Sequence, residues 1–263
     1  MNKVLVTGGN GNLGKYVVEA LLKKEIKTVV LTTKTSITTQ NNIQFFTGDL
    51  LENIGLKEAA EDVEVIIHCA SNPRNFLQTD IEGTKNLLNA VDRNSIKHFI
   101  YISIVGIDKS DYPYYQAKLQ VENIVANSGI PFTILRTTQF HDFVLNMIKT
   151  LDQNGKSDSI TIPSGLRFQS VAVQEVAELL ASIALEQSKG LIKDFGGPEV
   201  LHFEEMTKSY LETIQSDKDI VLEIPEDIRH KLFTTGVNLC PENNAGKQTW
   251  KEYLKIYLSE IIM

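Results

Sequence analysis

A glycine turn set between a strand and a helix constrains this chain more than any other feature. Val4-Leu5-Val6 is an apolar run, Thr7-Gly8-Gly9-Asn10-Gly11-Asn12-Leu13-Gly14 follows it, and an amphipathic run then extends from Leu13 to Leu22. In a βα unit of this form, backbone N–H groups collect at the positive end of a helix dipole, where an anion binds. Gly8 permits the tight turn, Gly11 lets the backbone approach a phosphate, and Gly14 lets the helix pack on the strand. Such a glycine spacing alone is a common turn. With strand and helix both in place it implies a dinucleotide pyrophosphate held by Thr7, Gly8, Gly11, Asn12, Leu13 and Gly14.

The rest of the first half repeats this alternation. Apolar runs at residues 3–6, 27–31, 43–46, 63–69, 98–103 and 132–135 read as buried parallel strands. Helical periodicity at residues 13–24, 55–61, 79–94 and 114–127 separates them. The series implies an α/β, doubly wound parallel sheet, with ligands at the C-terminal ends of its strands. Beyond residue 140 the alternation weakens. Helices are expected at 140–151, from 173 to about 187, and at 203–214, 226–233 and 246–258, with a polar loop at 153–159 and a strand at 191–195. The expected division is a dinucleotide-binding core, residues 1–150, and a small, mostly helical lobe, residues 151–263. No Gly/Ser linker separates them, so the lobe is not expected to be independent.

Composition narrows the function. The chain has 263 residues and a net charge of −7, which argues against a nucleic-acid binder and against an anionic membrane surface. No apolar run reaches the length of a membrane span, and the glycine turn interrupts any secretory signal, so a cytoplasmic setting is expected. Cys69 and Cys240 are too few and too distant for a disulfide framework and are expected as free thiols. No metal is expected.

Cofactor choice is read at the end of the second strand, where Leu31-Thr32-Thr33-Lys34-Thr35-Ser36 carries no carboxylate for a ribose 2′-hydroxyl. Thr33 and Lys34 suit a 2′-phosphate instead, and NADP(H) is expected over NAD(H); Lys15 is a weaker cation candidate. Asp49 and Leu50 end the third strand. A carboxylate there meets an adenine amino group, or caps a turn. Ala70 and Ser71 follow the fourth strand, where small side chains permit close approach to a cofactor, while His68 and Cys69 read as packing residues.

A second constellation joins Ser103, at the end of the fifth strand, to Tyr114 and Lys118 on the next helix. Positions i and i+4 share a helical face. A cation beside a phenol favours its ionised form, and a tyrosine tuned in this way passes a proton to a carbonyl oxygen that a serine hydroxyl orients. Gln139, Phe140 and His141 follow the sixth strand where substrate is expected, His141 reading as a packed helix-start residue more than as a proton donor. Trp250 and Tyr253 read as anchors of the small lobe.

Taken with further runs, the chain resembles short-chain dehydrogenase/reductases of the atypical, NmrA-like group. The runs are Thr7 to Gly14, Asp80-Ile81-Glu82-Gly83-Thr84-Lys85-Asn86-Leu87-Leu88, Ile102-Ser103-Ile104-Val105-Gly106-Ile107, Tyr114 to Glu122, Ser128 to Arg136, Phe168 to Val173 and Gly196-Gly197-Pro198-Glu199. The resemblance implies a Rossmann fold with NAD(P)-binding capacity. Two departures stand out. Thr137 follows Arg136 where the group usually has proline. Ser103 and Tyr114 are eleven positions apart, a shorter loop than in many dehydrogenases of the superfamily, which leaves Tyr112 and Tyr115 as rival phenols. Some relatives are reductases and others are redox-sensing regulators. The first expectation is therefore an NADP(H)-dependent oxidoreductase acting on a small carbonyl compound or quinone. The second is a dinucleotide sensor that contacts a protein partner. A nucleotide-sugar epimerase ranks third, because the C-terminal lobe is small for a second nucleotide. Oligomeric state is not legible.

Overall fold

A computed structural model describes residues 3–33, 42–152 and 158–262. Its main sheet has seven strands: β1 (Val4–Thr7), β2 (Thr28–Thr32), β3 (Ile43–Thr47), β4 (Val65–His68), β5 (His98–Ile104), β6 (Phe132–Thr137) and, later in the chain, β9 (Gly190–Leu191). The order is β3-β2-β1-β4-β5-β6-β9. Register is parallel throughout the pairs around β1, with Val6 opposite both Val30 and Ile67. The order reverses between β1 and β4, which is the switch point where such sheets open a crevice. Near-continuous apolar runs explain the burial: every residue of β1, β2 and β4 is buried, as a strand covered on both faces requires. All six expected runs in the first half shift by one or two residues at an end, since hydrophobicity does not mark where a ladder stops.

The helices α1 (Asn12–Lys23), α2 (Leu56–Ala59), α3 (Gly83–Ala90) and α4 (Pro113–Ala126) fill the crossovers. In α1 the buried residues Leu13, Gly14, Val17, Val18, Ala20 and Leu21 form one stripe, as 3.6-residue spacing demands. A π-helical stretch, Leu77–Glu82, runs straight into α3, so this helix begins earlier and ends earlier than its periodicity predicts; Val91 is already extended. Leu5, Ile66, Leu87, Phe99, Tyr101 and Val121 centre the core.

The chain forms two compact units, and neither is a single stretch of sequence. The first comprises residues 1–103, 113–136 and 174–193, and the second residues 104–112, 137–173 and 194–263. The first unit holds the main sheet, save the last residues of β5 and β6, and most of α6 (Val173–Ile183). The second holds α5 (His141–Leu151), α7 (Phe203–Thr213), α8 (Ile228–Thr234) and α9 (Trp250–Ile262). It also contains two small sheets that the sequence did not disclose. β7 (Ser159–Pro163) pairs in parallel with β11 (Asp219–Glu223), and β8 (Arg167–Phe168) pairs antiparallel with β10 (Leu201–His202). The strand expected at 191–195 is reduced to β9, which pairs with Thr133 and Ile134 of β6.

Candidate functional site

Within the first unit, the C-terminal ends of β1, β4 and β5 converge with the start of α4. The turn after β1 is built as its glycines require. Gly8 has φ +65°, and a Cβ there would lie 2.8 Å from the Ala70 backbone. A Cβ on Gly14 would lie 2.1 Å from the Gly8 carbonyl oxygen, so helix and turn meet only through glycine. Gly9, which the spacing did not single out, is also close-packed: a Cβ would meet the Val30 side chain at 2.6 Å.

Gly11 is the N-cap of α1, and its N–H donates inside the turn to Gly8 O at 2.8 Å. The N–H groups available to an anion are therefore those of the first turn of α1. That end of the helix has no side-chain cap and no acidic residue in its first turn, so its dipole is unopposed. The uncapped helix end and the glycine cradle fit a dinucleotide phosphate. At the end of β2, Asn10 Nδ2 donates to Thr32 Oγ1 at 2.7 Å, a tie that sequence spacing could not show. Thr33 is exposed, whereas Lys34, Thr35 and Ser36 lie outside the described residues.

Beneath the turn, His68 is wholly buried between two threonines. Thr84 donates to the Asp80 carbonyl oxygen, so it accepts from His68 Nε2 at 2.9 Å; Thr7 Oγ1, which accepts from Ala70 N, donates to His68 Nδ1 at 2.6 Å. These partners assign a neutral ring with its proton on Nε2. Burial first, and then the Lys118 charge, push its pKa down to about 3. Burial pushes the Cys69 thiol up to about 12, and both cysteines are free. Asp49 Oδ1 accepts from Leu51 N at 2.7 Å, the geometry of a turn carboxylate, and Leu50 is buried.

Tyr114 and Lys118 both lie on α4. Lys118 is 3% exposed; its Nζ donates to Ile102 O at 3.0 Å, lies 4.3 Å from the centroid of the Tyr101 ring and is 3.8 Å from Asp80 Oδ1. Burial lowers its pKa, while Asp80, Glu122 and Cys69 raise it. Tyr114 Oη lies 2.8 Å from Ser71 Oγ, and its ring packs on Phe76. Ser71 in turn donates to Asp80 Oδ1 at 2.7 Å, and Asn72 N donates to Asp80 Oδ2 at 3.0 Å. The structure thus brings Tyr114, Ser71, Asp80 and Lys118 into one sequence of contacts. Asp80 lies within a family-like run that carries no local signal of these contacts, which only the fold brings about. Ser103 Oγ, at the end of β5, is buried without a hydrogen-bond partner. Of the rival phenols, Tyr115 is buried in the core, and Tyr112 belongs to the second unit, where burial raises its pKa and Arg229 opposes that shift.

One turn beyond Lys118, Glu122 takes both Nε and Nη2 of Arg136 at 2.9 and 2.8 Å, a buried fork that fixes the end of β6 to α4. A groove of about 570 Å³, lined by Phe76, Leu77, Ile81, Pro113, Gln116 and Asn123 among others, holds no charged side chain and none of the glycine-turn residues.

In the second unit, His141 is also a satisfied, neutral ring. Nδ1 pairs with Ser170 Oγ at 2.8 Å, Nε2 pairs with Gln248 O at 3.1 Å, and Tyr253 stacks at 4.9 Å. Burial pushes its pKa down to about 4. Trp250 is fully buried and donates to Met206 O at 3.0 Å. Among the described residues no three His, Cys, Asp or Glu side chains are placed to hold a metal ion, and no helix is long and apolar enough to cross a membrane.

A family model described as NAD(P)H-binding matches residues 8–187. An uncharacterised membrane protein of Methanocaldococcus jannaschii is 27% identical over 207 residues, which cover 67% of this chain and 61% of that protein. Quinone oxidoreductase 2 of Escherichia coli is 26% identical over 138 residues, 51% of this chain and 47% of that one. The chain spans between 47% and 61% of the length of the first curated relatives it matches. Among solved structures, an NADPH-dependent quinone oxidoreductase of Escherichia coli complexed with NADPH aligns with a TM-score of 0.77, at 16% identity, over 97% of this chain and 99% of that one. At that identity the likeness is one of fold, the fold of NAD(P)H-binding reductases and epimerases.

Proposed function

The chain belongs to the NAD(P)H-binding family, within the atypical short-chain dehydrogenase/reductases, and from that premise we propose that it is an NADP(H)-dependent reductase of a small carbonyl compound or quinone. The observation that carries the proposal is the placement, in one unit, of an uncapped glycine-turn helix end beside a tyrosine whose hydroxyl is held at the ends of the neighbouring strands. The cofactor supplies hydride when bound. Gly8, Gly11 and the first turn of α1, with Thr7, Asn12, Leu13 and Gly14, hold its pyrophosphate; Ala70 and Ser71 border its path, and Asp49 and Leu50 the adenine side.

Tyr114 is the proton donor to the substrate oxygen, and Ser103, whose hydroxyl lacks a partner of its own, orients that oxygen. Lys118 lies below them as a buried positive charge and a ribose-hydroxyl contact. The absence of a carboxylate at Thr32-Thr33 favours NADPH, with Lys34 as its cation. The name of the quinone oxidoreductase relative points to quinones as the first acceptors to try.

The test is an NADPH-oxidation screen over quinones, aldehydes and ketones, run beside calorimetric titration of NADPH and NADH. Turnover with at least one acceptor is expected, with tighter binding of NADPH. Tyr114→Phe should leave binding nearly intact and lower carbonyl turnover by about 10²–10⁴-fold, the usual scale of a lost general acid. A parent protein that binds NADPH and reduces nothing would transfer the assignment to a dinucleotide sensor.

A further inference from the structure

We infer that Asp80 is a positioning residue for Tyr114: its carboxylate fixes Ser71, which holds the phenol hydroxyl, and it offsets the charge of Lys118, so that the phenol is kept as a proton donor. The inference rests on the reductase reading above and adds a residue to it. The direction of each link follows from donor count. A carboxylate only accepts, so the single hydroxyl proton of Ser71 goes to Asp80 Oδ1 at 2.7 Å. The 2.8 Å contact between Ser71 Oγ and Tyr114 Oη then has the tyrosine as donor. A bond donated by the neutral phenol stabilises the neutral form.

On its other side Asp80 stands 3.8 Å from the Lys118 ammonium, and both side chains are almost fully buried. Lysine alone would draw the phenol toward its anion; paired with Asp80, its field is reduced where the phenol sits. The other groups facing Lys118 are Glu122 on its own helix, His68 and Cys69 at the end of β4, and the Tyr101 ring of β5. Of these, His68 is neutral, Cys69 is held far above neutrality, and Glu122 is already forked by Arg136. The carboxylate that reaches both Lys118 and the hydroxyl chain is therefore Asp80. Its backbone lies in the π-helical stretch Leu77–Glu82, an uncommon geometry that recurs at functional sites.

The experiment is a pH titration of tyrosinate absorbance on folded, cofactor-free protein. The parent, Asp80→Asn and Ser71→Ala are each compared with the same protein also carrying Tyr114→Phe, so that the difference isolates one phenol. Asp80→Asn should move Tyr114 ionisation to lower pH by about one unit, a tenfold change in ionisation constant. Ser71→Ala should shift it in the same direction, and Ser71→Thr should restore the parent titration. In turnover assays the alkaline limb of the pH profile should move down with it. Asp80→Asn strands a buried lysine; should it fail to fold, Ser71→Ala decides alone, because Ser71 is exposed. An unchanged Tyr114 titration in the folded variants overturns the inference. If the parent reduces no acceptor, the reductase reading falls, and the tyrosinate titration still decides the role of Asp80.

Discussion

In the first unit Asp80, Lys118, Glu122 and Arg136 are buried with their charges; in the second, the buried polar side chains among the described residues, His141, Gln169, Ser170 and Asn238 among them, are neutral. The two sets work differently. Gln169 shows the second kind: Nε2 donates to Gly197 O at 2.9 Å, and Oε1 accepts from Cys240 N at 2.8 Å. It closes backbone bonds between loops and does nothing that a site would need. Buried ion pairs return little net stability for their desolvation cost. Their confinement to the π-helical stretch Leu77–Glu82, to α4 and to the end of β6 therefore marks where the fold keeps charge for chemistry or for positioning.

The widest test of this contrast is acid titration at His68 in the first unit, which also buries His98, and at His141 in the second, since burial pushes the pKa of each ring down. Such a ring stabilises the fold fully above its ordinary pKa of about 6.5, and the contribution is lost as pH falls toward the folded value. For His68 the loss runs to about pH 3 and amounts to about 5 kcal/mol; for His141 it ends near pH 4, at about 3 kcal/mol. Urea unfolding between pH 7 and pH 3 should show His68→Asn lowering the slope of stability against pH from about 6.5 down to about 3, and His141→Asn only from about 6.5 down to about 4. Identical profiles for the two variants would remove the distinction.

Next in size is the Arg136–Glu122 fork. Glu122→Gln should cost about 3–5 kcal/mol by leaving a buried guanidinium unpaired, and Glu122→Met with Arg136→Leu should recover most of it. Gln169→Leu in the second unit leaves a buried carbonyl and a buried N–H unmet and should cost about 2–4 kcal/mol. Denaturant melts rank the two, and a neutral hub that costs more than the ion pair would break the comparison. The smallest effect is expected from Trp250→Phe, which gives up the bond to Met206 O for about 1–2 kcal/mol; no measurable change would deny that residue its anchoring role.

What was legible in the sequence follows the same boundary. Local signals carried far: the apolar runs marked six strands of the main sheet, and Gly8, Gly11 and Gly14 located the turn at the end of β1. Tyr114 and Lys118 were found by an i, i+4 spacing, but that spacing only places them on one helix face. Their partners come from elsewhere. Asp80 is 38 positions from Lys118, and Ser71 is 43 from Tyr114. No periodicity links residues so far apart. The Thr7–His68–Thr84 clamp and the β7–β11 pair were hidden for the same reason, since their members are joined by the fold and carry no common pattern. The 1–150 and 151–263 division assumed that a compact unit is one stretch of chain, and helix counting cannot show a chain that leaves a unit and returns.

That return has a consequence for synthesis. The first unit is complete only when residue 193 has been made, because α6 and β9 arrive after the segments 104–112 and 137–173 that belong to the second. A nascent chain halted at 150 would present β6 paired with β5 but without β9 on its other side, an open ladder edge of the kind that recruits other strands. Vectorial folding from the ribosome, which favours domains finished in order, is here obliged to hold a sheet that lacks its last strand while part of the second unit emerges. Fragments cut near residue 150 should therefore be recovered as aggregates, whereas cuts that spare both returns of the chain have a folded product to reach.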